Sequence, residues 1–224
     1  MKVLVAVAHP DDEVLLAGGA IAKHVAAGDR VLCSYYTDGV SARAPALRLA
    51  GTREKRRGEF EAAVARLGAE ADGPPEATWD YDQRLDQVGV LDLAQATERL
   101  LGRFQPEVIY THHPDDLNQD HKAVYWAVQI AARPYAGGAL VRGIYGGEIP
   151  GVPLADDGRG GRRYVALTGA QLAAKMDALD RYKSERRDYP HPRSPEAVRS
   201  LAEVRGVECG RHAAEAFAVV WEVW

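Results

Sequence analysis

The chain has 224 residues, 46% apolar and 27% charged, with 28 basic against 32 acidic side chains and a net charge of −4. That is an ordinary globular composition, long enough for one buried core over residues 1–224, and it excludes the basic footprint of a nucleic-acid binder. The apolar start breaks at His9, too soon for a membrane span or a signal-peptide core, and Cys33 and Cys209 form no CxxC, so a reducing cytoplasm is expected.

Val3–Val7 is a short, β-branched, unbroken apolar run, read as a buried first strand. It empties into Ala8-His9-Pro10-Asp11-Asp12-Glu13, and Val14, Ala17, Ile21 and Val25 then keep helical spacing. A strand, a charged loop and a helix open an α/β fold, whose ligands sit outside the carboxyl ends of the strands. His9 and Asp12, three apart around a proline, can hold one cation; the rival reading has Asp11 or Asp12 simply capping the helix.

Gly28-Asp29 ends that helix and Val31–Tyr36 reads as the second strand, with Thr37-Asp38-Gly39 at its carboxyl end. Asp38 is either a turn residue or a site residue. Val40–Gly51 reads as a loop near the site. A helix runs from Thr52 with Phe60, Val64 and Leu67 inward, closed by Gly68, and starts with the charge run Arg53–Arg57. Gly73-Pro74-Pro75 is a turn, Thr78–Tyr81 a short strand, and Asp82-Gln83-Arg84-Leu85-Asp86 follows at its end. Leu91–Phe104 is the next helix.

Glu107–Thr111 repeats the first pattern: a short strand, then His112-His113-Pro114-Asp115-Asp116-Leu117-Asn118-Gln119-Asp120-His121, then a helix along Ala123, Val124, Ala127, Val128 and Ala131. Asp116 with Gln119 has the spacing of a capping box. Capping does not account for three histidines in ten residues. One imidazole from this loop, joined to His9 and Asp12, makes two histidines and an aspartate with a coordination position open, which is the catalytic zinc pattern.

Leu140–Tyr145 is a further strand leading to Glu148. Pro150–Arg163, rich in Gly and Pro, reads as a lid or insertion. Tyr164–Leu167 is a strand, Gln171–Lys183 a helix, and Phe217–Trp221 a closing strand. The alternation of strands and helices predicts a Rossmann-like three-layer α/β fold with a mostly parallel sheet. No G-x-G-x-x-G follows the first strand, which weighs against a dinucleotide-binding module.

His9-Pro10-Asp11-Asp12-Glu13 together with Asp116–His121 resembles the PIG-L/LmbE-like zinc-dependent N-deacetylases, which remove acetyl groups from amino sugars. Weaker matches follow in order: Thr37-Asp38-Gly39, Arg56 to Glu59, Asp82–Asp86, Pro190–Ser194, Arg205-Gly206 and Ala214-Glu215-Ala216-Phe217. The resemblance implies one Zn2+, or another divalent metal, on His9, Asp12 and His121, with Asp11 as general base. It implies a substrate side of Arg56, Asp82, Arg84, Asn118, His191 and Arg193, where Arg53 and Arg57 also fit the first position. The partner implied is a small N-acetylated sugar of GlcNAc type; a homo-oligomer is compatible. Where some relatives have a histidine three residues before the last zinc ligand, this chain has Asn118, so the oxyanion donor is Asn118, His113 or, as first choice, His212. A metal-dependent amidase for a thiol conjugate or another non-sugar amide is the alternative.

Overall fold

The computed structural model describes residues 1–42, 52–74, 78, 80–134, 141–151 and 161–223. The expected lid at 150–163 and the loop at 40–51 fall largely outside these residues. The elements, in chain order, are β1 (Lys2–Val7), α1 (Asp12–Ala26), β2 (Arg30–Tyr35), α2 (Thr52–Arg66), β3 (Glu70–Asp72), α3 (Val90–Phe104), β4 (Val108–His112), α4 (Gln119–Ala131), β5 (Gly143–Gly147), β6 (Arg162–Ala166), α5 (Gly169–Leu179), α6 (Pro195–Glu208) and β7 (Ala214–Glu222). Short 3₁₀ turns occupy Leu85–Gln87 and Lys183–Glu185. Among the described residues no helix is long and apolar enough to cross a membrane.

The strands form one sheet in the order β3-β2-β1-β4-β5-β7-β6. β1 to β5 pair in parallel, and β7 runs antiparallel between β5 and β6. The α/β, mostly parallel architecture read from the sequence is therefore the observed one. Alternate side chains of β1 explain why both sheet faces are covered. Val3, Val5 and Val7 pack with residues of α1, α2, α5 and α6, whereas Leu4, Ala6 and Ala8 pack with α3 and α4. The order reverses at β1, with β2 on one side and β4 on the other. The crevice that ligands use in such sheets lies at that switch, outside the carboxyl ends of β1 and β4.

Two expectations need correction. Of the described residues in the strand expected over 78–81, Thr78 is a buried 3₁₀ residue, Asp80 sits in a turn and Tyr81 is outside any strand. The third strand is Glu70–Asp72 instead, a polar edge segment with no apolar alternation to reveal it. The helix expected over Gln171–Lys183 ends at Leu179, and Lys183 starts a 3₁₀ turn. Sequence reading also passed over α6, although Ser194 accepts the Ala197 N–H at 3.2 Å as its N-cap and Pro195 opens it.

The later motif matches are structural pins. Glu215 reaches into α1, accepting the Gly19 and Ala20 N–H groups at 2.9 and 2.7 Å and the Lys175 ammonium at 2.6 Å. Arg205 grips Glu148 with two bonds of 2.7 and 2.8 Å. A Cβ on Gly206 would lie 2.6 Å from the Ala213 backbone. Gly206→Ala should therefore lower stability by roughly 1–3 kcal/mol, read by chemical denaturation. The exposed Gly102→Ala in α3, which meets nothing within 4 Å, is the neutral-to-stabilising control.

Candidate metal centre and active site

Both loops meet through one backbone bond: the Ala8 N–H donates to His112 Nε2 at 2.8 Å. The Asp12 carboxylate then becomes a point of convergence. Its Oδ2 accepts the His9 N–H at 3.0 Å and stands 3.1 Å from His9 Nδ1 and 3.3 Å from His121 Nε2. The two imidazole nitrogens are 3.3 Å apart. Asp12 and His121 are buried and His9 is only 8% exposed. Asp12 Oδ1 is buried with no hydrogen-bond partner, which is the signature of a coordination position.

The other face of each imidazole is held by a carboxylate, as metal-ligating histidines usually are. His121 Nδ1 bonds Asp116 Oδ2 at 2.8 Å, and His9 Nε2 bonds Asp120 Oδ2 at 3.0 Å with Asp82 Oδ1 at 3.4 Å. Asp120 also accepts the Gln83 and Leu85 N–H groups at 2.6 and 2.9 Å, tying the 82–86 loop to the cluster. Among the described residues there are two further donor groups, His112–Asp116–His121 and His9–Asp82–Asp120. Each draws on nitrogens facing these outer carboxylates or, in His112, on a ring whose Nε2 already accepts the Ala8 N–H. The His9–Asp12–His121 group uses the inward atoms and leaves that shell intact.

Electrostatics agree. Burial alone would lower the His9 pKa, but its bonds to Asp12, Asp120 and Asp82 overturn this and hold it well above the usual imidazole range. His121 is raised in the same way, against burial, by Asp12 and Asp116. Burial would raise Asp12, yet His121 and His9 pull it well below the carboxylate range. All three sites thus favour positive charge at one point. His112, stacked 3.8 Å from His121, is pushed well below the usual range by burial and by His121, and stays neutral.

Asp11 stands apart from this cluster. Its backbone is left-handed, with φ 111° and ψ −27°, and its side chain makes no capping hydrogen bond to α1. Holding a non-glycine residue there costs roughly 1–3 kcal/mol. The carboxylate is 4% exposed, with Arg193 Nη1 3.7 Å and Arg56 Nη2 3.8 Å from its Oδ2. Burial and the neighbouring Asp12 outweigh the two arginines and push its pKa up to about 6. Glu13, buried against Tyr182, is pushed up to about 8.

His9, Asp11, Arg56, Asp82, Asn118 and Arg193 all line one cavity of about 270 Å³, with Gly39, Ala42, Gln83 and Glu185. Arg56 is buried, donates from Nη2 to the Pro10 carbonyl, and leaves Nε and Nη1 without a hydrogen-bond partner. Arg53 instead pairs with Asp38, and Arg57 with Glu61. Asn118 is the N-cap of α4, its Oδ1 accepting the Asp120 N–H at 2.8 Å. Asp116 is therefore no cap; it holds His121. Asp38 builds the turn after β2, accepting the Val40 and Ser41 N–H groups at 2.9 Å.

Other expected residues lie elsewhere. Arg84 is exposed and donates to the Asp80 carbonyl at 2.9 Å. His191 is exposed, accepting the Arg193 N–H at 3.1 Å, so it shapes the loop behind that arginine. His212 is exposed in the turn between α6 and β7. Sequence reading missed His112, Asp116 and Asp120 as parts of the centre. Their signal was density of acids and imidazoles, which spacing alone could not sort.

The site is that of a metal-dependent hydrolase built on an α/β sheet. The family model for PIG-L, GlcNAc-PI de-N-acetylase, matches residues 4–132, and the chain belongs to that family, an enzyme of the deacetylase class. No curated protein sequence matches significantly. Among solved structures, GalB, the 4-carboxy-2-hydroxymuconate hydratase from Pseudomonas putida KT2440, is similar at 25% identity and a TM-score of 0.74, covering 100% of this chain and 97% of that one. The N,N'-diacetylchitobiose deacetylase from Pyrococcus horikoshii shares the fold at 20% identity and a TM-score of 0.71, over 98% of this chain and 83% of its own. The zinc-inhibited form of teicoplanin deacetylase Orf2 does so at 17% and 0.75, over 98% of each chain.

Two variants separate the inner and outer residues. His121→Ala should abolish stoichiometric metal binding. Asp116→Asn should keep the metal but weaken it roughly 10- to 100-fold, measured by competition with a chelating dye.

Proposed function

We propose that the chain removes the acetyl group from an N-acetylated amino sugar or its conjugate, with zinc on His9, Asp12 and His121 and Asp11 as general base. Two imidazoles and a carboxylate with a position left open are a donor set that hydrolytic zinc sites use. When bound, the metal polarises the amide carbonyl and makes water acidic enough to attack at neutral pH. Asp11 takes the proton of that water. The C–N bond breaks, and Asp11 returns the proton to the departing nitrogen, so that acetate and a free amine leave. Asn118 lines the cavity, and with its carbonyl spent on the α4 cap its NH₂ is the group left to donate to the developing oxyanion. His212 is given no step.

The observation that carries this reading is Asp11. It is buried beside the donor cluster, makes no cap and belongs to no outer carboxylate pair, so its one evident use is on something in the cavity. The polar lining of Asp82, Gln83 and Asn118 suits sugar hydroxyls, and Arg56, whose Nη1 stands 3.6 Å from both Glu59 and Glu185, has Nε free of a hydrogen bond for an acidic or hydroxyl oxygen. A single domain over 1–224 and a cytoplasmic location go with one continuous sheet and two free cysteines.

The likeness to GalB favours a second reading, water addition to a carbon–carbon double bond of a carboxylated substrate, with Arg56 and Arg193 on its carboxylates. A panel of N-acetylated amino sugars, assayed for acetate with zinc present, tests the first reading. Loss of ultraviolet absorbance from a conjugated diacid, with no acetate formed, would establish the second.

Asp11→Asn should keep the metal and lower kcat by roughly 10²- to 10⁴-fold. An active, zinc-loaded variant would sink the mechanism. The pH dependence follows from the same group. Asp11 must be ionised to act, and without metal its pKa is about 6. A bound cation can only lower that value. The acid limb of kcat/KM should thus fall at or below pH 6, and it should be missing in Asp11→Asn.

A further inference from the structure

Glu13, the acid that follows Asp12, has no part in the scheme so far. It is fully buried, and its two oxygens face different partners. Oε2 accepts the Asp11 N–H at 3.1 Å, and Oε1 accepts the Tyr182 hydroxyl. The buried ring of Tyr182 lies 5.4 Å from the Arg56 guanidinium carbon, and Arg56 Nη2 stands 3.8 Å from the Asp11 carboxylate. These contacts close a circuit that leaves Asp11 through its backbone and returns to its side chain.

We propose that Glu13 and Tyr182 are positioning residues that hold Asp11 in its left-handed backbone and so keep its carboxylate turned to the cavity. The inference rests on the proposed role of Asp11. Amides at a helix start lack intrahelical partners, so a bond from Glu13 to the N-cap N–H would occur in a purely structural role too. Tyr182 is what separates the two cases. It comes from the segment after α5, 169 residues away in sequence, and it touches both Glu13 and the arginine beside Asp11. A cap alone has no use for that second link. Left-handed φ at an aspartate is disfavoured, so bonds made only in that conformation decide whether it persists.

Tyr182→Phe removes the hydroxyl and keeps the ring against Arg56. In the zinc-loaded protein, NMR exchange of the Asp11 amide should quicken by about tenfold or more in this variant. With N-acetylglucosamine, or the sugar the acetate panel returns, kcat should fall roughly tenfold while KM and metal content hold. Glu13→Gln keeps an acceptor for the Asp11 N–H and should stay within about threefold of the parent on both readouts. In an Asp11→Asn background, Tyr182→Phe should cost nothing further, since its effect passes through Asp11. Unchanged Asp11 exchange in Tyr182→Phe, or the same fractional loss of kcat in both backgrounds, overturns the inference. Full activity of Asp11→Asn alone would instead defeat the reading of Asp11 as base, and the exchange measurement would still decide whether the circuit holds its backbone.

Discussion

The structure depends on how it tolerates carboxyl groups buried together at one sheet edge. Asp11, Asp12, Glu13, Asp82, Asp116 and Asp120 are all buried there. An unpaired buried carboxylate costs several kcal/mol, so each must find a cation, a hydrogen bond or a proton. The solutions differ. Asp116, Asp120 and Asp82 face imidazole nitrogens, Asp11 faces two guanidiniums, and Glu13 sits against a phenol with its pKa raised. Asp12 turns one oxygen, Oδ2, to two histidines whose protonated forms the site already favours, and keeps the other, Oδ1, with no partner. A divalent ion relieves this edge more fully than protons do, and binding it stabilises the fold in proportion to the logarithm of its concentration over Kd.

The fold supplies the convergence without long-range adjustment. Parallel β1 and β4 are neighbours, registered Val3 to Val108 through Val5 to Tyr110, so their following loops emerge side by side. Each loop then starts a helix, α1 on one face and α4 on the other. The Ala8–His112 bond fixes how far the loops stand apart. Asp120, bonded to Gln83 and Leu85, brings in the third loop without a strand to aim it. That tie explains how the 82–86 segment reaches the site.

Much of this was legible in the sequence. The alternation of apolar runs gave the parallel sheet, and the two His/Asp loops pointed to a shared cation. Helix phase also separates Arg56 from its neighbours: it shares a face with Phe60, Ala63 and Val64, all buried, whereas Arg57 is exposed. Other features left no trace. β3 is a polar edge strand, so it has no alternation to detect. Asp116 and Asp120 have the spacing of turn and capping residues, and only three-dimensional proximity shows them behind His121 and His9. The matches at Arg205-Gly206 and Ala214–Phe217 resemble site motifs in sequence, yet physically they brace α1 and α6. His212 enters as a candidate donor through the family resemblance, and in one dimension an exposed turn histidine and a buried donor look alike.

Adjacent acids pose a last problem, because neighbouring carboxylates tend to compete for the same cation. In helical backbone, Asp11 would project about 100° around the helix axis from Asp12, within reach of the same cluster. Left-handed φ turns it away, and the arginines keep it there at 3.7 and 3.8 Å, beyond direct hydrogen bonding. That distance matters. A bonded guanidinium would hold the carboxylate so far below pH 7 that it would be a poor base, whereas no cation at all would leave it protonated by burial. The pKa of about 6 is the balance of these opposing effects. A bound cation lowers it from there, so Asp11 is ionised at neutral pH, which is the state that a general base requires.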